Sequence, residues 1–177
     1  MRKSRFSERD EGFMSLALHE AEQALGAGDY PVGAVLTVNG KLLGKARNSI
    51  FTEDQTIAHA EKKVLSSYST QLRQLTRDDN MLETCLYTTL EPCLMCLGIA
   101  VLHRVKRIVF ACPDPHGGAR KVNPIDLGCF YAEHWPNIEE GLMKERACDL
   151  ILRFLPTGKF VAWEVMLKEF SAMRERW

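Results

Sequence analysis

Thr88-Thr89-Leu90-Glu91-Pro92-Cys93-Leu94-Met95-Cys96-Leu97 places two thiols three residues apart directly behind a proline. Proline has the backbone angle suited to the first position of a helix, so the spacing predicts a helix opening at Pro92 with both sulfurs near its N-terminus. Unpaired amides and the positive end of the helix dipole favour thiolate there, and thiolate is the form that binds a metal. The pair is preorganised as half a metal site.

Upstream, His59-Ala60-Glu61 offers the other half. His59 can supply a third ligand through a ring nitrogen. Glu61 is too close in sequence to aim comfortably at the same ion, but it can reach a water bound there. Three protein ligands with one open position is the arrangement of a catalytic zinc, whereas four ligands close a structural one. Alone, Cys-x-x-Cys also suits a redox pair or half of a structural zinc knuckle, and Cys85 or Cys112 could donate a fourth ligand. A thioredoxin-like reading leaves the upstream His-x-Glu without a purpose. A His-x-Glu followed by Pro-Cys-x-x-Cys is the signature of the zinc deaminases.

At 177 residues and 46% hydrophobic content, the chain is long enough for one well-buried α/β core and short for two. A single domain over 1–177 is expected. Lysine plus arginine equals aspartate plus glutamate at 23 each, which is not the balance of a strongly basic nucleic-acid binder, although a local patch can exist. The six cysteines are not spaced as a disulfide framework; Cys85, Cys112 and Cys148 lie in apolar runs where buried free thiols are common. Met1 to Phe6 is basic but lacks an apolar core, and no apolar run approaches about 18 residues. A cytoplasmic protein with no membrane partner is expected.

A frayed start over 1–10 precedes a helix marked by Phe13, Leu16, Ala17, Ala21, Ala24 and Leu25 and ended by Gly26 and Gly28. Val32 to Val38 reads as a strand, Asn39-Gly40 as a two-residue hairpin turn, and Lys41 to Ala46 as the return. Asn48 opens a loop running through Thr56. An asparagine there suits the edge of a nucleobase, with its donor and acceptor, or an ordinary Asx turn. Ile57 to about Ser69 suits a helix carrying His59 and Glu61 in its first turn, and Thr70 to Glu83, with Asp78 and Asp79, a solvated connection that can contain helix.

Thr84 to Thr89 is β-rich and delivers the Pro92 helix, which extends to about His103; Lys106 to Cys112 completes a strand-helix-strand unit of the parallel kind. Residues 113–136 read as an irregular loop placed to wall a pocket, with His116 as a candidate lining residue. Met143 to Leu155 is helical, Pro156 and Gly158 break it, and Phe160 to Phe170 begins a last helix with Trp163 and Leu167 inward, making 156–177 the C-terminal helical segment. His103 with Arg104, Lys106 and Arg107 forms a basic cluster that reads as a solvated turn but could meet phosphate. His19 and His134 read as surface or packing residues.

With these pieces in place, the chain resembles the cytidine deaminase-like superfamily. Within it, the likeness is greatest to the bacterial tRNA adenosine deaminases (TadA) and their nucleobase-deaminase relatives. The matching segments are Pro31 to Leu36, the Asn48 position, Ala58 to Glu61, Leu86 to Cys96 and Arg107 to Phe110, over roughly the first two thirds of the chain. The resemblance implies a three-layer α/β fold, with a mixed five-stranded sheet between helices, and a homodimer whose subunits help close each site. It implies one zinc ion held by His59, Cys93 and Cys96, with Glu61 as proton shuttle. Asn48 and Ala60 would meet the base, and Asp114 would lie near the nucleotide sugar.

The expected activity is hydrolytic deamination of adenosine in tRNA. The alternatives are a deaminase of a free nucleobase, nucleoside or nucleotide, favoured by the zero net charge, and a non-catalytic zinc-stabilised partner subunit.

Overall fold

The computed structural model describes residues 5–78, 82–157 and 161–177. Its strands are β1 (Gly33–Val38), β2 (Lys41–Arg47), β3 (Thr84–Leu90), β4 (Arg107–Cys112) and β5 (Asn137–Glu140). They form one sheet in the order β2-β1-β3-β4-β5. The helices are α1 (Glu8–Ala27), α2 (Ala60–Ser67), α3 (Ser69–Asp78), α4 (Leu94–Leu102), α5 (Cys129–His134), α6 (Lys144–Phe154) and α7 (Val161–Arg174). β1 pairs antiparallel with β2 and β3, while β3-β4 and β4-β5 are parallel, so the sheet is mixed as expected.

The hairpin turns at Asn39 and Gly40, both at positive φ (49° and 68°), the backbone that an Asn-Gly pair adopts most readily. Helices cover both faces of the sheet. Tyr87 reaches Asp10 of α1 and Thr88 reaches Glu61 of α2, and neighbouring residues of a strand point to opposite faces. α6 packs beside α1, and α4 beside α2. Two covered faces explain why Val35, Leu36, Leu86, Ile108, Val109 and Phe110 are all buried, giving near-continuous apolar runs in place of alternation.

Several boundaries differ from the expectation. The first ten residues are not frayed where they are described: α1 starts at Glu8, capped by Ser7, whose hydroxyl accepts from the Asp10 amide while the Asp10 carboxylate accepts from the Ser7 amide. Met1 to Ser4 lie outside the described residues. Gly26 falls inside the last turn, and Gly28 alone, left-handed at φ 84°, ends the helix. α2 begins at Ala60, and Ile57 sits exposed in the turn before it.

The polar stretch after Ser69 is helical as α3, with Asp79 outside the described residues. Pro92 does not open α4. Cys93 is its N-cap, and the proline stands one residue further back in the connection from β3. The segment 113–136 is not wholly irregular: Pro124–Asp126 is a 3-10 turn and α5 follows. β5 has no individual signal, being four residues long with two glutamates; pairing to β4 makes it a strand. α6 is extended by a 3-10 turn over Leu155–Thr157, and α7 starts at Val161, with Gly158 and Phe160 outside the described residues. Its inward face carries Trp163, Phe170 and Met173, and Leu167 is half-buried.

Asp10, only 6% exposed, joins the start of α1 to the sheet. It accepts from Tyr87 Oη at 2.7 Å and Arg107 Nη1 at 2.6 Å, and Arg107 is also paired with Glu139 of β5. Burial opposes the charge, but Arg107, Tyr87 and the Ser7 cap outweigh it and hold the carboxyl well below the usual carboxylate range. A folded-state pKa below the unfolded one stabilises the fold above about pH 5, a contribution lost as pH falls toward the folded-state value. Asp10→Asn is therefore expected to cost about 3 kcal/mol near neutrality. Its denaturation curves should also lack part of the acid-side slope of the wild type.

Candidate functional site

Parallel strands carry ligands at their carboxyl ends, and it is there that β3 runs out through Leu90-Glu91-Pro92 into Cys93. Cys93 caps α4 and Cys96 lies in its first turn. His59 caps α2, and its side chain makes no capping hydrogen bond. The two helix N-termini thus meet over the end of one strand.

His59 Nδ1 lies 3.7 Å from Cys93 Sγ and 3.6 Å from Cys96 Sγ. All three ligand atoms fall within 4.8 Å of one another. A tetrahedral zinc with ordinary Zn–S and Zn–N bonds requires N···S edges of about 3.6 Å. The triad fits a zinc ion, in donor type and in spacing. Among the described residues no fourth ligand joins the group: Cys85 and Cys112 are buried elsewhere in the sheet.

Glu61 is 3% exposed and stands beside the triad. Thr88 Oγ1 donates to Glu61 Oε1 at 3.1 Å, and the Cys96 thiol lies 3.6 Å from Oε2. Burial pushes the carboxyl upward. The two thiols divide their roles. A hydrogen bond from Cys96 draws Cys93 down to about 4, whereas Cys96, bonded to that thiolate and buried, is pushed far up. His59 is raised by its bond to Cys93, against its own burial. Without metal the site holds one thiolate, one thiol and an imidazole biased toward its charged form, so metal entry must displace a proton.

The expected substrate residues are arranged less tightly. Asn48 is buried, and its Oδ1 accepts from the Ile50 amide at 3.1 Å, so the Asx turn is present. That turn uses the oxygen alone and leaves the Nδ2 amide uncommitted by it. The Ala60 side chain is fully buried in the core, so only its backbone, in the first turn of α2, could meet a ligand. Asp114 Oδ1 caps its own loop by accepting from the amides of His116 and Gly117. The His116 ring is directed to Glu169 of α7 at 3.0 Å. Among the described residues neither makes a hydrogen bond to the His59, Glu61 and cysteine group.

Three residues that the sequence does not single out organise the surroundings. Thr88 orients Glu61. Glu91, 5% exposed, accepts from the amides of Asp114 and Arg120, so the loop after β4 is tied to the residue before Pro92. A Cβ on Gly118 would lie 2.4 Å from that carboxylate, which requires glycine there. Asp29, fully buried, accepts from the amides of Phe51 and Thr52, from the Thr52 hydroxyl and from Arg47, pinning the loop that leads to His59. Gly28-Asp29 is visible in the sequence only as a helix end, because the partners of Asp29 lie 18 or more residues away.

Residues 7–112 match the model of the cytidine and deoxycytidylate deaminase zinc-binding region. A tRNA-specific adenosine deaminase of Bacillus subtilis is 42% identical over 146 residues, 82% of this chain and 88% of that protein. The tRNA-specific adenosine deaminase of Aquifex aeolicus is 38% identical over 63% of this chain and 72% of its own. A structure from a study of A-to-I editing by tRNA:A34 deaminases superposes with a TM-score of 0.59 at 28% identity, covering 78% of this chain and 98% of that one. A guanine deaminase from Nitrosomonas europaea shares the fold at a TM-score of 0.67 and 22% identity, over 81% of this chain and 83% of its own.

Proposed function

The chain belongs to the cytidine and deoxycytidylate deaminase family, and on that premise we propose that it hydrolyses adenosine to inosine within tRNA. The observation that carries this reading is the three-donor group at tetrahedral spacing with a buried carboxylate beside it. The tRNA substrate is supported by the relatives named for tRNA-specific adenosine deamination.

His59, Cys93 and Cys96 would hold the zinc ion, which when bound would supply Lewis acidity to the attacking water. Glu61 takes a proton from the attacking water and passes it to the ring nitrogen next to the reacting carbon, then takes the remaining proton of the added hydroxyl and delivers it to the amino group, which departs as ammonia. Thr88 keeps the carboxylate turned toward the site through its hydroxyl bond. Asn48 and the Ala60 backbone meet the base, and Asp114 and His116 stand on the loop that walls the nucleotide's sugar side, held in place through Glu91.

The deciding experiment measures ammonia and inosine from total tRNA, free adenosine, guanine and cytidine. Inosine in tRNA with little turnover of the free compounds is the expected result. Turnover of a free base with none of tRNA would overturn the tRNA assignment. The effect of salt is a second discriminator, because binding at several phosphates weakens steeply as salt rises and binding of a neutral base does not.

We read 1–177 as one deaminase domain acting as a homodimer. α4 is apolar throughout and leaves Leu94 at 61% exposure, next to the metal-site Cys93. A second copy covering that face would remove this apolar surface from water. Leu94→Glu is expected to convert the dimer to a monomer in sedimentation velocity, and a wild type that sediments as a monomer would refute the assembly. The six free cysteines suit a reducing, cytoplasmic setting, and no helix among the described residues is long and apolar enough to cross a membrane.

A further inference from the structure

Three clefts lie along the rim of the sheet opposite the candidate site, where β3 and β4 begin. The largest, about 560 Å³, opens between the start of α1 and the strand ends and is lined by Arg9 and Lys106 among others. Another, about 380 Å³, sits between α3 and the end of α4 and is lined by Arg73, His103 and Arg104. A small cleft of about 50 Å³ shares Arg104 with the second and Lys106 with the first. The shared side chains join the three into one elongated band.

The cations of this band are largely uncommitted. Arg107 is turned inward to Asp10 and Glu139, but Arg9, Arg73, Arg104 and Lys106 form no ion pair with another described residue. Three carboxylates, Asp10, Glu83 and Glu133, line the same clefts; Asp10 is taken up by Arg107, and the other two are outnumbered by the four unpaired cations. Arg104 packs its guanidinium on the Phe130 ring at 4.7 Å, and its Nη1 is buried without a hydrogen-bond partner among the described residues. In a chain of zero net charge, such a row is a local concentration. Its elongated form suits a polyanion better than a single phosphate.

We propose that this band docks the phosphodiester backbone of the RNA substrate at a distance from the target base. The proposal rests on the RNA reading of the active site. From Cys93 to His103 the α4 segment spans about 15 Å, so an RNA engaged at the metal site needs only to extend past one short helix to reach the band. Sequence information would be read at the active site, and the band would add affinity and register.

The test compares the full chain with the surface variant Arg9→Glu/Arg73→Glu/Lys106→Glu, and with Arg104→Met, which keeps packing on Phe130 but removes the charge. Total tRNA and a short RNA hairpin carrying the same target loop serve as ligands. The variants should raise KM for tRNA by about tenfold or more with kcat unchanged, and alter kcat/KM for the hairpin by less than about twofold. The slope of log affinity against log salt should become shallower by about one unit for each phosphate that the variant no longer engages. Unchanged tRNA affinity and salt slope in a variant with wild-type unfolding behaviour would overturn the band, as would equal losses on tRNA and hairpin. Salt-titrated binding does not require turnover. A wild type that binds RNA through the band yet deaminates no RNA adenosine would overturn the functional reading and leave the band standing.

Discussion

A Glu61→Gln enzyme is expected to carry zinc at the wild-type stoichiometry and to turn over its substrate about 10²- to 10⁴-fold more slowly. The amide is nearly isosteric and its oxygen can still accept from Thr88 Oγ1, so the side chain should stay where the carboxylate stands, 3% exposed beside the metal ligands. It cannot carry a proton, and both the water-to-ring and the hydroxyl-to-amine transfers depend on a group that can. Because burial already pushes Glu61 toward its neutral form, the uncharged replacement should fold at least as well as the wild type. Metal analysis, a thermal melt and turnover of tRNA adenosine separate the possibilities. Full activity in the zinc-loaded variant would remove Glu61 from the mechanism; loss of zinc together with stability would reassign it to a structural role.

Cys96→Ala should abolish both zinc binding and measurable activity. Two donors remain, and three protein ligands are the minimum that a catalytic zinc keeps. The fold should survive, because the apolar core around the sheet is packed from residues other than the three donors. Circular dichroism with little change beside a metal content near zero is the expected pair of results; zinc retained at full occupancy would mean that another group completes the site.

The same residue gives the pH dependence of the wild type. Cys93, drawn down to about 4, enters the neutral range as thiolate, while Cys96 keeps its proton until the metal displaces it. Displacing one proton lowers apparent zinc affinity about tenfold per unit as pH falls, and more steeply once the raised His59 is also protonated. Competition with a chelator between about pH 8 and pH 6 measures this directly, and a flat profile would contradict the thiol assignment.

Several features are legible from short stretches because their physics is local. A proline followed by two cysteines three apart places both sulfurs at a helix N-terminus, whether or not the proline is its first residue. Asn39-Gly40 turns a hairpin through positive φ, and Cys85, Leu86, Ile108 and Val109 announce buried strands by their own chemistry. His59-Ala60-Glu61 carries its reading in the roles that an imidazole and a nearby carboxylate can take. The Ser7 cap is equally local, yet the polar residues around it mask it as a frayed end.

Other features depend on partners remote in sequence. β5 has no strand signal of its own and exists through its ladder to β4. Nothing near Asp10 foretells Arg107, 97 residues away, and nothing near Asp29 foretells that it fastens the loop leading to His59.

The amino-acid order by itself determined the donor atoms, the carboxylate beside them and the kind of fold that could carry both, since these follow from residue chemistry and from spacings within a single turn or strand. Only the tertiary structure decided that Thr88 aims Glu61, that Glu91 ties the loop of Asp114 to the cysteine helix, and that separated cations line one rim. Those relations come from strand register and helix packing, which juxtapose residues without leaving a mark on either residue's neighbours along the chain.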